Sequence, residues 1–442
     1  MMKRIMAFVL SCLTAISLAG CGGSGTQGGS TETGNIKGSD IKVPEYLSGK
    51  TVKMLVWYQL PQNELDVIAR FEKETGIKIE YESSSESMSE YTQLIASKVA
   101  AGEGYDVCMM GKERFPQFTV DYLQPINKII GKDGKPVYNP DDKVWNKQTI
   151  EASTVNGNVY ALNCSNNWQY DYVCMFYNED LFASRGVKTP LEYYEEGNWN
   201  WDTFLECAKQ MTYKENGNQV WGYAEQSAAY HYDWALASST DYVKFDGRSY
   251  KSNLNDTALI NSMEFVADLY TKHKVADPSV PYGVSQFSHG NAAMLSCITY
   301  IMKKDSVSLE GMTDSVKAVP FPNKTNDTNY IPVHQKGFGI MENATEPEAA
   351  YYWIRYWQDP ANYDMDSIFV NTQYKEMFAK LDGMNHVYPF SVGLLNYAGY
   401  LDSDKLNTQM CYVNANQVAA QLGNYTNIIE QSCKKANQLF EE

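Results

Sequence analysis

Residues 51–113 read TVKMLVWYQLPQNELDVIARFEKETGIKIEYESSSESMSEYTQLIASKVAAGEGYDVCMMGKE, and the changes of period along them decide the fold. TVKMLVWYQ is a near-continuous apolar run, as expected of a strand buried on both faces. In PQNELDVIARFEKETG, Leu65, Ile68 and Phe71 share one helical face, with Pro61 near the start and Gly76 at the stop. IKIEYE alternates apolar and polar residues, the two-residue period of a strand. SMSEYTQLIASKVAAGEG sets Met88, Tyr91, Leu94/Ile95 and Lys98/Val99 at helical spacing, and YDVCMMG supplies a third strand. Strand, helix, strand, helix, strand predicts an α/β chain: two right-handed βαβ crossovers on a parallel sheet.

That architecture says where a ligand belongs. In an open α/β sheet, ligands lie beyond the carboxyl ends of the strands, where strand order reverses. Those ends carry Trp57, Tyr58 and Gln59 after the first strand, and Met110, Gly111, Lys112 and Glu113 after the third. No glycine-rich loop follows either strand, so a phosphate cradle is not indicated. An aromatic pair facing a Lys/Glu pair suits a neutral, hydroxyl-rich ligand.

The first residues speak to location. MMKRIMAFVLSCLTAISLAGC has Lys3 and Arg4, then a short apolar run, then small residues ending in Leu18, Ala19, Gly20 and Cys21. This is the layout of a secretory signal. Its L-A-G-C ending resembles a bacterial lipobox, which implies cleavage before Cys21 and lipid on its sulfur. The apolar run is too short for an ordinary transmembrane anchor. GGSGTQGGSTETGNIKGSD then has no hydrophobic face and reads as a flexible tether.

About 420 residues remain after the signal, too many for one core and enough for two or three domains. Cleavage removes two cations and no acid, so the net charge moves from −16 to −18. Such an acidic chain argues against nucleic acid or phosphate-rich partners. Beyond Cys12 and Cys21, seven cysteines are scattered with no CxxC. An odd number excludes a full disulfide framework, and zinc-finger spacing is absent. The five histidines (His231, His273, His289, His334, His386) include no i, i+4 pair, and there is no GxSxG, HExxH, Walker or EF-hand pattern. No cofactor, metal or catalytic residue is therefore expected.

Ten blocks, in order, resemble one family: FEKETGIKIEYE, YTQLIASKVAAGEGYDV, NGNVYALN, MFYNEDLF, NWNWDTF, VWGY, FSHGNAAM, VPFP, KGFGIM and PEAAYYWIRYW. Together, behind a lipobox, they resemble the extracellular solute-binding proteins of ABC transporters, in the sugar-binding group related to maltose-binding protein. Tyr105 stands where the family usually has proline before the Asp of the third strand. The resemblance implies a two-lobed periplasmic-binding-protein fold with three crossings between the lobes, near Asp171–Val173, Lys317–Val319 and Ile340–Glu342. Residues 50–171 and 318–341 would then form the first lobe, and 172–317 and 342–442 the second, with 1–20 as signal and 21–49 as lipidated tether. The ligand would sit in the cleft, and hinge closure would present the loaded form to a permease.

Sugar rings offer flat C–H patches flanked by hydroxyls, which aromatic faces and forked polar groups match. Trp57 and Tyr58 meet that description at a strand end. The resemblance adds Glu113 as a ligand-contacting acid and Asp171 as a hinge acid facing the cleft, with Trp168 as a lesser candidate. An acid inside a strand needs a partner. On the second lobe, Tyr230 to Trp234 is dense in rings without a clean period. It matches the family's sugar-stacking region, giving His231, Tyr232 and Trp234 as candidates. Tyr300, at the end of the strand after HGNAAM, is the eighth ligand-binding candidate. Trp199, Trp201, Trp353 and Trp357 read as packing residues, the last two at i, i+4 on one helix face.

The expectation is a monomeric receptor, lipid-anchored on the outer face of the cytoplasmic membrane, or on its periplasmic side where there are two membranes. It would carry a carbohydrate, with several stacking subsites pointing to an oligosaccharide, to an ABC permease. The alternatives are the same scaffold binding a polyol phosphate or a peptide, and, further off, a surface glycoside hydrolase. Paired carboxylates need only spatial adjacency, but a glycosidase barrel needs about eight βα units and this pattern is shorter.

Overall fold

β1 (Thr51–Val56) is the centre of the first sheet. α1 (Gln62–Thr75) returns the chain to β2 (Lys78–Ser83), and α2 (Met88–Ala100) returns it to β3 (Val107–Gly111). β2 and β3 flank β1, both parallel to it. The strand order therefore reverses at β1/β3, the place a ligand crevice is expected. α1 buries Glu64, Val67, Ile68 and Phe71 against this sheet and ends at Gly76, whose φ of 73° closes the last turn through an N–H to the Glu72 carbonyl. The buried Tyr91 hydroxyl donates to the Leu55 carbonyl at 2.8 Å and accepts the Met109 N–H at 3.2 Å, tying β1 to β3.

This computed structural model describes residues 36–84, 88–111, 117–304, 306, 309, 315–334 and 336–441. The signal, Cys21, the tether as far as Asn35, and the Lys112/Glu113 pair lie outside the described residues.

The second sheet is built on β4 (Asp171–Asn178), all eight residues of which are buried. It also contains β5 (Tyr213–Glu215), β6 (Asn218–Glu225), β7 (Ala292–Ile298), β8 (Val316–Pro320) and β9 (Tyr330–His334). β10 (Lys336–Ile340) belongs to the first sheet, antiparallel to β3, and β11 (Asn385–Val387) to the second. The second sheet runs β11-β9-β4-β7-β6-β5, and β8 also pairs with β4. β4 is antiparallel to β7, β8 and β9, so its start lies beside the end of β7. α3 (Trp201–Gln210) packs on β6 of the second sheet, α4 (Thr257–Thr271) packs on the short helix Tyr232–Leu236, and α5 (Pro347–Trp357) packs on β1 and β10 of the first sheet. α3 packs so closely on β6 that a Cβ at Gly222 would lie 1.9 Å from the Ala208 carbonyl oxygen. Nothing larger than glycine fits there.

Two lobes follow from two sheets, but their membership departs from the expected boundaries. β8 pairs along its whole length with β4, from Val316↔Asn178 to Pro320↔Cys174, so residues 318–320 lie with the second sheet. The chain leaves that sheet between His334 and Lys336, not near Lys317–Val319. α5 packs on α1, β1 and β10 of the first lobe, whereas residues from 342 onward were expected in the second. Its apolar face explains the difference. Trp353 and Trp357 stack at 5.4 Å, Trp353 lies 5.0 Å from Phe71, and Trp357 lies 4.5 Å from Phe338. The return to the second sheet comes later, where Lys304 N–H reaches the Ile368 carbonyl and Val370 N–H the Met302 carbonyl.

All seven cysteines of the body are buried and none forms a disulfide: Cys108, Cys164, Cys174, Cys207, Cys297, Cys411 and Cys433. Burial pushes the thiol of Cys207 and that of Cys433 up to about 12, so both pack as small apolar groups.

Candidate functional site

A cavity of about 330 Å³ opens at the β1/β3 end of the first sheet. Trp57, Tyr58, Gln59 and Pro61 enter it from the segment after β1, and Glu64 from the first turn of α1. Met109 of β3 and Phe338 of β10 form apolar wall. Trp168 and Gln169 reach it just before β4, and Tyr300, Lys303 and Ser306 just after β7. The ends of β1, β4 and β7 meet here because β4 runs antiparallel to β7. Thr299 fastens that junction: its hydroxyl accepts from Tyr172 N–H and donates to the Tyr170 carbonyl, each at 3.2 Å.

The polar groups are held before any ligand arrives. Ser83 donates to the Tyr58 carbonyl, and the Ser84 N–H to the Val56 carbonyl, so the chain beyond β1 is pinned to the chain beyond β2. The Tyr58 hydroxyl donates to both oxygens of Glu64, at 3.1 and 3.0 Å, and Gln169 Nε2 donates to one of them at 2.9 Å. Burial and the adjacent Glu64 charge push the Tyr58 phenol well above its usual 10, so it keeps its proton and remains a donor. Glu64 is fully buried, and its acceptor capacity joins the end of β1 to the approach to β4.

Asp171 is also fully buried, and Lys303 answers it: the ammonium lies 4.0 Å from the Asp171 carboxylate and 5.2 Å from the centre of the Trp168 ring. Of that pair it is Lys303 that lines the cavity. Trp168 is backed edge-on by Tyr363 at 5.6 Å, and Trp57 meets Tyr58 edge-on at 6.4 Å. Five aromatic side chains, a carboxylate, two amides and an ammonium thus share one small cavity. Aromatic faces cover apolar patches of a ligand and forked polar groups fix its hydroxyls, which is the chemistry of holding a polyol.

Of the eight candidates, Trp57, Tyr58 and Tyr300 line this cavity together with the lesser candidate Trp168, and Asp171 stands next to its Lys303. Tyr300 sits in the 3-10 turn Thr299–Met302 rather than on the strand, which ends at Ile298. Glu113 lies outside the described residues. His231, Tyr232 and Trp234 do not reach the cavity and are core residues. Trp234 is fully buried, with Phe204, Phe265 and Phe321 at 4.9, 5.0 and 4.7 Å. The Tyr232 hydroxyl lies 3.3 Å from His334 Nε2, which contacts Asp233 at 3.0 Å. His231 Nε2 lies 2.8 Å from Glu225, and its Nδ1 lies 3.0 Å from the Asn407 carbonyl. Burial alone would lower the His231 pKa, but Glu225 overrides it and holds the imidazole well above 6.5. The five-residue helix Tyr232–Leu236 is buried on every side, so its rings show no amphipathic period. That missing period is why the segment read as a stacking region rather than as core.

Glu64 and Lys303 had no distinctive sequence signal. A Glu in the first helical turn is ordinary near a helix N-terminus, and only tertiary packing buries it. Gln169 did carry a hint, standing between Trp168 and Asp171. Among the described residues no three His, Cys, Asp or Glu side chains are grouped to hold a metal, and no helix is long and apolar enough to cross a membrane.

The geometry is that of a two-lobed solute-binding protein, and sequence comparison agrees. The profile of the bacterial extracellular solute-binding proteins matches residues 59–364, more than half of the chain. The chain belongs to that family. Its structural relatives include the galacto-N-biose/lacto-N-biose I-binding protein of Bifidobacterium longum, solved with lacto-N-biose. That protein has a TM-score of 0.67 at 14% identity, over 87% of this chain and 97% of the other. The substrate-binding protein Lmo0181 of Listeria monocytogenes, solved with cycloalternan, has a TM-score of 0.62 at 18% identity, over 86% and 98%. The maltose/maltodextrin-binding domain MalE of Bdellovibrio bacteriovorus, bound to maltotriose, has a TM-score of 0.59 at 17% identity, over 89% and 100%. No curated protein sequence matches the chain.

Proposed function

We propose that this protein captures a carbohydrate, an oligosaccharide rather than a single sugar, in the cavity between its lobes and delivers it to the permease of an ABC importer. A lipid on Cys21 holds it at the outer face of the cytoplasmic membrane, and it works as a monomer that binds its ligand without altering it. The observation that carries this reading is the set of aromatic side chains Trp57, Tyr58, Trp168 and Tyr300 interleaved with Glu64, Gln169 and Lys303 at the strand-order reversal. The relatives named above were solved with di- or oligosaccharides, which supports a ligand of more than one unit. A single ammonium beside two buried carboxylates does not favour a phosphate-bearing ligand.

The test is tryptophan fluorescence of the full chain, purified in a non-glycosidic detergent and titrated with a panel of plant and host oligosaccharides. Thin-layer analysis of the same mixtures runs beside it. The expected result is a saturable shift with one glycan, that glycan recovered intact, and loss of the shift in Tyr300→Ala. Shortened products would replace the receptor by an enzyme, and silence across the panel would move the ligand out of the sugars.

A further inference from the structure

The second lobe carries another concavity, of about 550 Å³, far from the first. It lies between the start of β6 and the chain that leads from Asp277 to Asn291, just before β7. Tyr300 and Lys303 follow the opposite end of β7, and a strand of that length separates the two places by roughly 20 Å.

Two aromatic side chains line this groove, Trp221 and Tyr282. Tyr282 is 69% exposed, the most exposed large apolar-bodied side chain among the described residues. A third ring is close by, because the 68%-exposed Tyr412 donates its hydroxyl to the Pro278 carbonyl at 2.8 Å. Four planar amides share the groove: Asn218, Gln219, Gln286 and Asn291. Gln219 spends its nitrogen on the Tyr213 and Val220 carbonyls. Among the described residues, the side-chain amides of Asn218, Gln286 and Asn291 make no hydrogen bond within the protein. The carboxylate in the groove, Asp277, already accepts from the Ser279 N–H at 2.9 Å and its hydroxyl at 2.6 Å. His289 turns its Nδ1 to the Ser285 carbonyl at 2.6 Å, and no Lys or Arg lines the groove.

Exposed rings beside uncommitted amides, with no cation, are the complement of a neutral polyhydroxylated chain. A phosphorylated or nucleic-acid ligand would need cations, and a protein interface would have a more apolar centre. We propose that this groove is a second carbohydrate-contact site, with Tyr282 and Trp221 as stacking faces and Asn218, Gln286 and Asn291 as hydroxyl partners. It takes a neutral polysaccharide chain from the surroundings and keeps the protein near its source of shorter glycans. Binding at the groove does not depend on what the cavity binds, whereas its role near a source of shorter glycans rests on the carbohydrate reading of the cavity.

Native electrophoresis of the full chain through gels containing amylopectin, xylan or a mixed-linkage β-glucan tests it. At least one polymer is expected to retard the protein, and the retardation should persist in the cavity variant Trp57→Ala. Tyr282→Ala and Asn291→Ala, both at exposed positions, should each weaken it about three- to tenfold, the value of one stacking or hydrogen-bonding contact. Their thermal stability should be unchanged. Three outcomes would overturn the proposal: no retardation by any of the polymers, retardation lost in Trp57→Ala but kept in Tyr282→Ala, or a Tyr282→Ala protein that is retarded normally yet fails to support transport, which would give the groove to the permease.

Discussion

Removing the Glu64 carboxylate should loosen the cavity from within. In Glu64→Ala the Tyr58 hydroxyl loses an acceptor at 3.0 and 3.1 Å, and Gln169 Nε2 loses the same acceptor at 2.9 Å. Hydrogen bonds to a charged group contribute about 1.5–3 kcal/mol each. Part of that is offset because a desolvated carboxylate also disappears, leaving an expected loss of about 2–4 kcal/mol. Glu64→Gln keeps one oxygen for one donor and should lose about 1 kcal/mol. Affinity falls for a separate reason. Two cavity side chains would have to be immobilised again on binding, at about 0.5–1.5 kcal/mol each, which lowers affinity about five- to 150-fold. Calorimetric titration with the glycan found by fluorescence, beside urea unfolding, measures both effects. A Tyr58→Phe/Glu64→Gln cycle should show coupling of about 0.5 kcal/mol or more. If Glu64→Ala binds within twofold of wild type at unchanged stability, the claim that Glu64 organises the cavity is refuted.

Three further changes separate packing from binding. Trp234→Ala should destabilise by about 3–5 kcal/mol in urea while the folded fraction binds glycan normally; the opposite pattern would return Trp234 to the site. Arg355 is buried among Asp142, Asp359 and Asp40, at 2.8, 2.7 and 3.2 Å, and Ser39 beside it caps the same cluster. Arg355→Met should therefore cost about 3–5 kcal/mol and speed proteolysis at residues 36–42; a stable variant with unchanged proteolysis would count against the cluster's role. Asp241 gives a pH dependence. Burial raises its carboxyl to about 6, against hydrogen bonds from Ser391 and Tyr242 that lower it. The folded chain thus holds an extra proton that the unfolded chain releases near 3.8. The contribution is complete below about pH 4 and is lost as pH rises through 6, by about 2–3 kcal/mol. The stability difference between wild type and Asp241→Asn should shrink by that amount from pH 4 to pH 7, and a difference independent of pH would disprove the assignment.

The elements from β1 to β3 were legible because each carries its own period and stop: the apolar run of β1, the i, i+3 face of α1, the left-handed glycine at 76. The rings just beyond β1 followed from the same local signals, whereas the strand order β10-β3-β1-β2 is set by pairing between distant segments. Trp353 and Trp357 were recognisable as packing partners from their spacing alone, and they stack. Sheet membership was not legible. β8 is buried at four of its five positions and α5 along most of its length, and nothing within them says which sheet completes their cores. The ring-rich segment His231 to Trp234 misled because complete burial erases periodicity.

The sequence by itself determined the α/β class, the positions of the elements, and aromatic residues beyond β1 as a place to look. Local propensity and apolar period act over a few residues, so they survive in the one-dimensional record. Only the tertiary structure decided that Glu64, Gln169 and Lys303 share the cavity with Trp57 and Tyr58, that Asp171 finds its counter-charge in a turn 132 positions later, and that His231, Tyr232 and Trp234 are core. Those facts depend on which surfaces meet once two sheets are packed, a property of distant contacts that no single stretch of chain contains.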